Sequence, residues 1–175
     1  EDAVLAGDPS PVGLTAGPCG RGTVGDGGRV HGHRLYDPST MTTLFSRIIS
    51  GELPGTFVYR DELAVCFLTI NPITPGHALV VPVAEVDHWL DLDDPTVAHL
   101  NVVAKRIGRA QMEALRVARV GLVIAGLEVP HTHLHVLPMH SMADLDFRNA
   151  TEASADQLAE VATRLRAALG ADASQ

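Results

Sequence analysis

Three histidines occupy every second position of His131-Thr132-His133-Leu134-His135-Val136-Leu137-Pro138. In extended chain, alternate side chains share a face, so the three imidazoles form a row and Thr132, Leu134 and Val136 cover the other side. A neutral imidazole carries one donor and one lone pair, and it changes charge near neutral pH. Such a row could bind an anion, attack an electrophile and return a proton, or hold a metal. A lone histidine on a strand is usually a bonded core residue. Three on one face repel one another when charged, and something must offset that. His-x-His spacing can hold zinc, but the outer pair lie about 13 Å apart by strand rise, too far for one tetrahedral ion to engage both. A phosphate chain spans that length. A neutral imidazole whose other nitrogen meets an acceptor attacks phosphorus, while its neighbours donate to nonbridging oxygens or protonate the leaving group. The row therefore favours phosphoryl or nucleotidyl transfer over metal-dependent hydrolysis.

The elements that must carry this row are legible from residue 42 onward. Leu44, Phe45, Ile48 and Ile49 mark a short helix that Gly51 ends. Phe57-Val58-Tyr59 and Leu63 to Leu68 read as two strands, with Asp61-Glu62 as their hairpin. Asn71-Pro72-Ile73-Thr74-Pro75-Gly76 is a rigid loop before a third strand, His77 to Pro82. Asp93-Asp94-Pro95 starts a long helix whose face runs Val97, Leu100, Ala104, Ile107, Gln111 and Leu115, with one polar interruption. Val120 to Ile124 is a fourth strand, 131–137 the fifth, and Ser154 to Leu169 a closing amphipathic helix. Strands joined by short turns, with one long helix inserted, predict an α+β fold of about five antiparallel strands with short helices near either end.

At 175 residues the chain is long enough for a single domain, expected over 41–175. Residues 1–40 hold nine of its sixteen glycines and four of its eleven prolines, and Tyr36 is their sole aromatic. They read as an irregular or flexible extension, with His31-Gly32-His33 as a polar turn. A chain beginning at Met41 is expected to keep its activity, which turnover of that truncation would check. The formal charge of −8 argues against nucleic acid polymers, which need a basic stripe, yet leaves room for a nucleotide. No apolar run long enough to span a bilayer and no secretory pattern is visible, so no membrane partner is expected. Cys19 and Cys66 do not make a disulfide framework, which fits a cytoplasmic protein.

The His-φ-His-φ-His-φ-φ pattern of residues 131–137 resembles the signature of the histidine triad (HIT) family, nucleotide hydrolases and transferases. Thr43 to Ile48 with Gly51-Glu52-Leu53-Pro54 is similar to the family's opening helix, and Phe67 to Pro82 to its central strand-loop-strand. The resemblance implies a homodimer whose sheets join, no cofactor, and a purine mononucleotide pocket beside the histidines. It implies that His133 attacks the α-phosphorus to form a nucleotidyl-histidine, that His135 contacts the phosphate, and that His131 orients the strand. Leu44, Phe45, Ile48, Leu53 and Phe67 fall where relatives line the base pocket, although a plain core would use the same five. The implied substrates are nucleoside phosphoramidates, acyl-nucleotides or dinucleoside polyphosphates. A nucleotide-binding or regulatory protein with little turnover is the alternative.

Departures from the family pattern touch both substrate and metal. Relatives that bind structural zinc use a Cys-x-x-Cys pair, a further histidine and a triad histidine. Here the pair is Thr43 and Ser46 and the third position is Glu85, so no metal is expected. Thr69 stands where relatives place an aspartate that accepts from the ribose hydroxyls. Gly126-Leu127-Glu128-Val129-Pro130 replaces a Gly-Gln-(Ser/Thr) run that binds phosphate and leaving group. Glu128 is either a surface carboxylate or a group facing the leaving-group site, where it would select a cationic or amine leaving group over a polyphosphate.

Overall fold

The structure is a computed structural model and describes residues 43–172. The expected extension over 1–40, including His31-Gly32-His33, lies outside the described residues. Thr43 opens the first helix, α1 (Leu44–Ile49), its side chain accepting from the Ser46 N–H, and Gly51 follows at φ 85°. The strands are β1 (Thr56–Arg60), β2 (Ala64–Leu68) and β3 (Ala78–Pro82). Asp61 makes the first hairpin turn by accepting the Leu63 and Ala64 N–H groups at 2.8 and 2.7 Å on one carboxylate oxygen.

Helix α2 (Asp94–Leu115) starts where Asp93 accepts the Thr96 N–H at 2.7 Å, with a proline in its first turn. It ends at Arg116, which adopts the left-handed conformation at φ 57°. Strands β4 (Arg119–Ile124) and β5 (Leu134–Met139) follow, and α3 (Ala155–Asp172) closes the chain. Ser154 and Gln157 exchange hydrogen bonds at the start of α3, a capping box written in the sequence as Ser-x-x-Gln. Among the described residues no helix is long and apolar enough to cross a membrane.

The five strands form one antiparallel sheet in the order β1-β2-β3-β5-β4. Its pleat sorts residues onto two faces. Cys66, Val80 and Leu134 occupy one register row, and Leu68, Ala78 and Val136 another; both meet Leu100, Val103 and Ile107 of α2 and Leu158, Ala162 and Leu165 of α3. The row Phe57–Phe67–Leu79–His135 points the other way, towards Phe45 and Ile49 of α1. The long helices thus supply the main core on one side, and the short helix leaves room for a site on the other.

One boundary differs from the expectation. The fifth strand begins at Leu134 rather than at residue 131, so only His135 of the three histidines lies in the ladder. The reason is Pro82. The register pairs Val80 with Leu134, which would set Pro82 opposite Thr132, and a proline has no N–H to donate. The Thr132 N–H goes instead to Val86 O at 2.7 Å, and the His131 ring takes up the free Pro82 carbonyl.

Candidate functional site

Each imidazole is assigned a tautomer, because its chain of hydrogen bonds starts from a backbone group that only accepts or only donates. His131 Nε2 lies 2.9 Å from the Pro82 carbonyl, so Nε2 carries the proton and Nδ1, 3.0 Å from Thr43 Oγ1, accepts. His133 Nδ1 lies 2.7 Å from the His131 carbonyl, so it donates there and leaves Nε2 as a lone pair. His77 Nδ1 accepts the Ile73 N–H at 3.3 Å, so its Nε2 donates to His135 Nδ1 at 2.9 Å. The proton of His135 is thereby placed on Nε2. The row holds one ring with no free nitrogen, one with a free lone pair and one with a free N–H.

Burial keeps these rings neutral. It is the largest influence on all four, and their pKa values lie below the ordinary 6.5. His77 falls to about 3, helped by the nearby His135 and His133, and His135 to about 4, helped by His133. His133 is lowered too, though its bond to the His131 carbonyl and the charge of Glu128 oppose the effect. Aromatic rings pack around the row: Phe45 meets His133 edge-on at 5.0 Å, and Phe147 meets His135 at 5.0 Å.

Beside the row lies a cavity of about 590 Å³. Leu44, Phe45, Ile48, Leu53, Phe67, Thr69 and Glu128 all line it, together with His133 and His135. His131 is absent from its lining, consistent with a ring whose two nitrogens are spent elsewhere. Thr69 presents a half-buried hydroxyl that already accepts the Asn71 N–H at 3.3 Å. Glu128 lines the cavity while its side chain remains exposed to solvent. Glu128 is the one side chain bearing a full charge among the described residues of the lining; no lysine or arginine contributes.

Sequence reasoning missed two residues. His77 was read only as the first residue of a strand, although a histidine immediately before an all-apolar strand was itself a signal. Phe147 comes from a short 3-10 turn after β5 (Phe147–Asn149), and no local pattern ties it to His135.

The fold and the histidine-bearing segment have counterparts among known proteins. A family model described as "HIT domain" matches residues 50–142, more than half of the chain. An uncharacterized HIT-like protein of Borreliella burgdorferi is 35% identical over 116 residues, covering 62% of this chain and 84% of that protein. The adenosine 5'-monophosphoramidase HNT1 of Saccharomyces cerevisiae is 30% identical, over 60% of this chain and 68% of the yeast protein. Among solved structures, a zinc-bound histidine triad family protein from Mycobacterium smegmatis aligns with a TM-score of 0.68 at 33% identity, covering 77% of this chain and 99% of its own. The sequence pattern, the five-stranded sheet and these matches together show that the chain belongs to the HIT-domain family.

Proposed function

We propose that this chain is a nucleotide hydrolase or nucleotidyl transferase that works at an α-phosphorus through His133. The observation that carries the reading is the tautomer set. His133 offers a lone pair at Nε2 beside the cavity, and His135 offers an N–H on the same face. His133 Nε2 attacks phosphorus, the bond to the leaving group breaks as an amine leaving group takes up a proton from water in the open cavity, and a nucleotidyl-histidine forms. Water then attacks the same phosphorus and releases the nucleoside monophosphate with the imidazole restored. As the attacking ring becomes cationic, the His131 carbonyl on its Nδ1–H stabilises the charge. His135 donates to a nonbridging oxygen, and His131 orients both.

Leu44, Phe45, Ile48, Leu53 and Phe67 sandwich a purine base, and Thr69 meets the ribose. The yeast monophosphoramidase supports the nucleotide chemistry. The lack of a cationic side chain among the described residues of the lining, with Glu128 as their one full charge, supports phosphoramidates and acyl-nucleotides over dinucleoside polyphosphates. The same proposal includes a cytoplasmic protein with one domain over 41–175 that pairs into a homodimer.

The test is covalent trapping. The full chain is mixed with adenosine 5'-phosphoramidate labelled at phosphorus and quenched in alkali, and an acid-labile adduct is expected that His133→Ala abolishes. Tight binding of AMP without adduct or turnover would overturn the enzymatic reading and leave a nucleotide-binding protein.

A further inference from the structure

The four positions at which zinc-binding relatives place their ligands converge here. Thr43, Ser46, Glu85 and His131 form one hydrogen-bonded group, of which Thr43, Ser46 and His131 are buried. Their chemistry does not fit the metal. Serine and threonine hydroxyls keep their protons at neutral pH and are poor zinc ligands. Both nitrogens of His131 are already engaged, Nε2–H on the Pro82 carbonyl and Nδ1 by Thr43. Among the described residues no cluster of three or more His, Cys, Asp or Glu could hold a metal ion.

We infer that Thr43, Ser46 and Glu85 are positioning residues that hold His131, and through its carbonyl His133, by hydrogen bonds in place of a metal. The proposal rests on His133 being the attacking residue. A Glu85 carboxylate oxygen accepts the Ser46 hydroxyl at 2.5 Å and the Thr43 N–H at 3.3 Å. The Ser46 proton is thereby committed to Glu85, and the Ser46 N–H donates to Thr43 Oγ1 at 3.1 Å. The Thr43 proton has two acceptors within 3.0 Å, Ser46 Oγ and His131 Nδ1. Of these, His131 Nδ1 is the buried lone pair that has most need of a donor, since Ser46 Oγ stands 3.5 Å from it and spends its own proton elsewhere.

This anchoring matters because the ladder gives no support at residues 131–133. In its place, the His131 ring is tied at one nitrogen to the end of β3 and at the other to the N-cap of α1. Those ties locate the carbonyl that accepts His133 Nδ1–H, and hence the direction in which His133 Nε2 points. Loosening them should slow attack on phosphorus far more than it weakens nucleotide binding.

The experiment uses Thr43→Val, close in shape but without the hydroxyl, with Thr43→Ser as the conservative rescue. Ring-nitrogen NMR of the histidines in the unliganded full chain is read first, then the rate of single-turnover labelling by adenosine 5'-phosphoramidate. In Thr43→Val the His131 Nδ1 resonance is expected to move and His133 to lose its single tautomer. Labelling should slow about ten-fold with KM within about two-fold, and Thr43→Ser should restore both. Ser46→Ala is expected to act in the same direction, and it serves if Thr43→Val does not fold. Unchanged ring spectra in both variants would overturn the proposal, as would about one zinc per chain whose removal by a chelator reproduces the defect. If wild type gives no adduct at all, the nucleotidyl-transfer reading fails while the ring spectra still decide whether the network positions His131 and His133.

Discussion

His77 Nε2 lies 2.9 Å from His135 Nδ1, and the far nitrogen of His77 accepts the Ile73 N–H. The backbone of a loop therefore dictates, through two rings, which nitrogen of His135 bears a proton. Replacing His77 with Leu removes the donor and frees the His135 tautomer. We expect kcat for adenosine 5'-phosphoramidate to fall about ten-fold, the scale of one lost neutral hydrogen bond, with little change in KM. His77→Gln retains an N–H and should lose less. Wild-type kcat in His77→Leu would refute this role.

The same burial predicts how stability depends on pH. His77 and His135 have folded values of about 3 and about 4 against an ordinary 6.5. Below about pH 6.5 the unfolded chain binds protons at both, while the folded chain refuses them until its own lower values are reached. Stability is thus fully present above about pH 6.5 and is lost as pH falls towards 4 and below. Urea midpoints measured between pH 7.5 and 5 should decline, and His77→Gln with His135→Asn should flatten the decline. A midpoint in wild type that does not change over this range is the contrary result.

On the proposed function, Glu128 is the charged side chain of the cavity lining that a leaving group would meet. A carboxylate about 6 Å from a phosphate opposes it by about 3 kcal/mol at an effective dielectric near 20. Wild type should therefore prefer a phosphoramidate to a diadenosine polyphosphate, and Glu128→Gln should move the ratio of kcat/KM at least about ten-fold towards the polyphosphate. Equal ratios in the two proteins would remove Glu128 from substrate selection.

The two sheet edges are not alike. At β1, the Phe57 carbonyl is taken by the guanidinium of Arg166 from α3. At β4, Leu122 is 48% exposed, and Met112 of α2 is 46% exposed beside it along a groove between helix and strand. An open, apolar edge strand invites pairing with a second copy. We expect the full chain to sediment as a dimer, and Leu122→Lys to shift it to monomer with the thermal midpoint of the monomer fold largely kept. Monomeric wild type at micromolar concentration would refute the pairing.

Much of the architecture was legible locally because short-range chemistry decides it. Asp93 caps its helix with a side chain that reaches only three residues ahead, and Asp61 turns its hairpin, both as the sequence predicts. The cavity residues Leu44, Phe45, Ile48, Leu53, Phe67, Thr69 and Glu128 were legible through the family resemblance. Periodicity alone could not have separated a cavity wall from a core.

What the sequence by itself determined is the row: a two-residue repeat puts His131, His133 and His135 on one side of extended chain whatever they meet. Only the tertiary structure decided which tautomer each ring holds, because a tautomer is set by its partners and the deciding ones lie far away in the chain. Pro82, 49 residues from His131, ends the ladder and claims one ring; His77, 58 residues from His135, orients another. The row is local geometry, whereas its division of labour is a long-range contact.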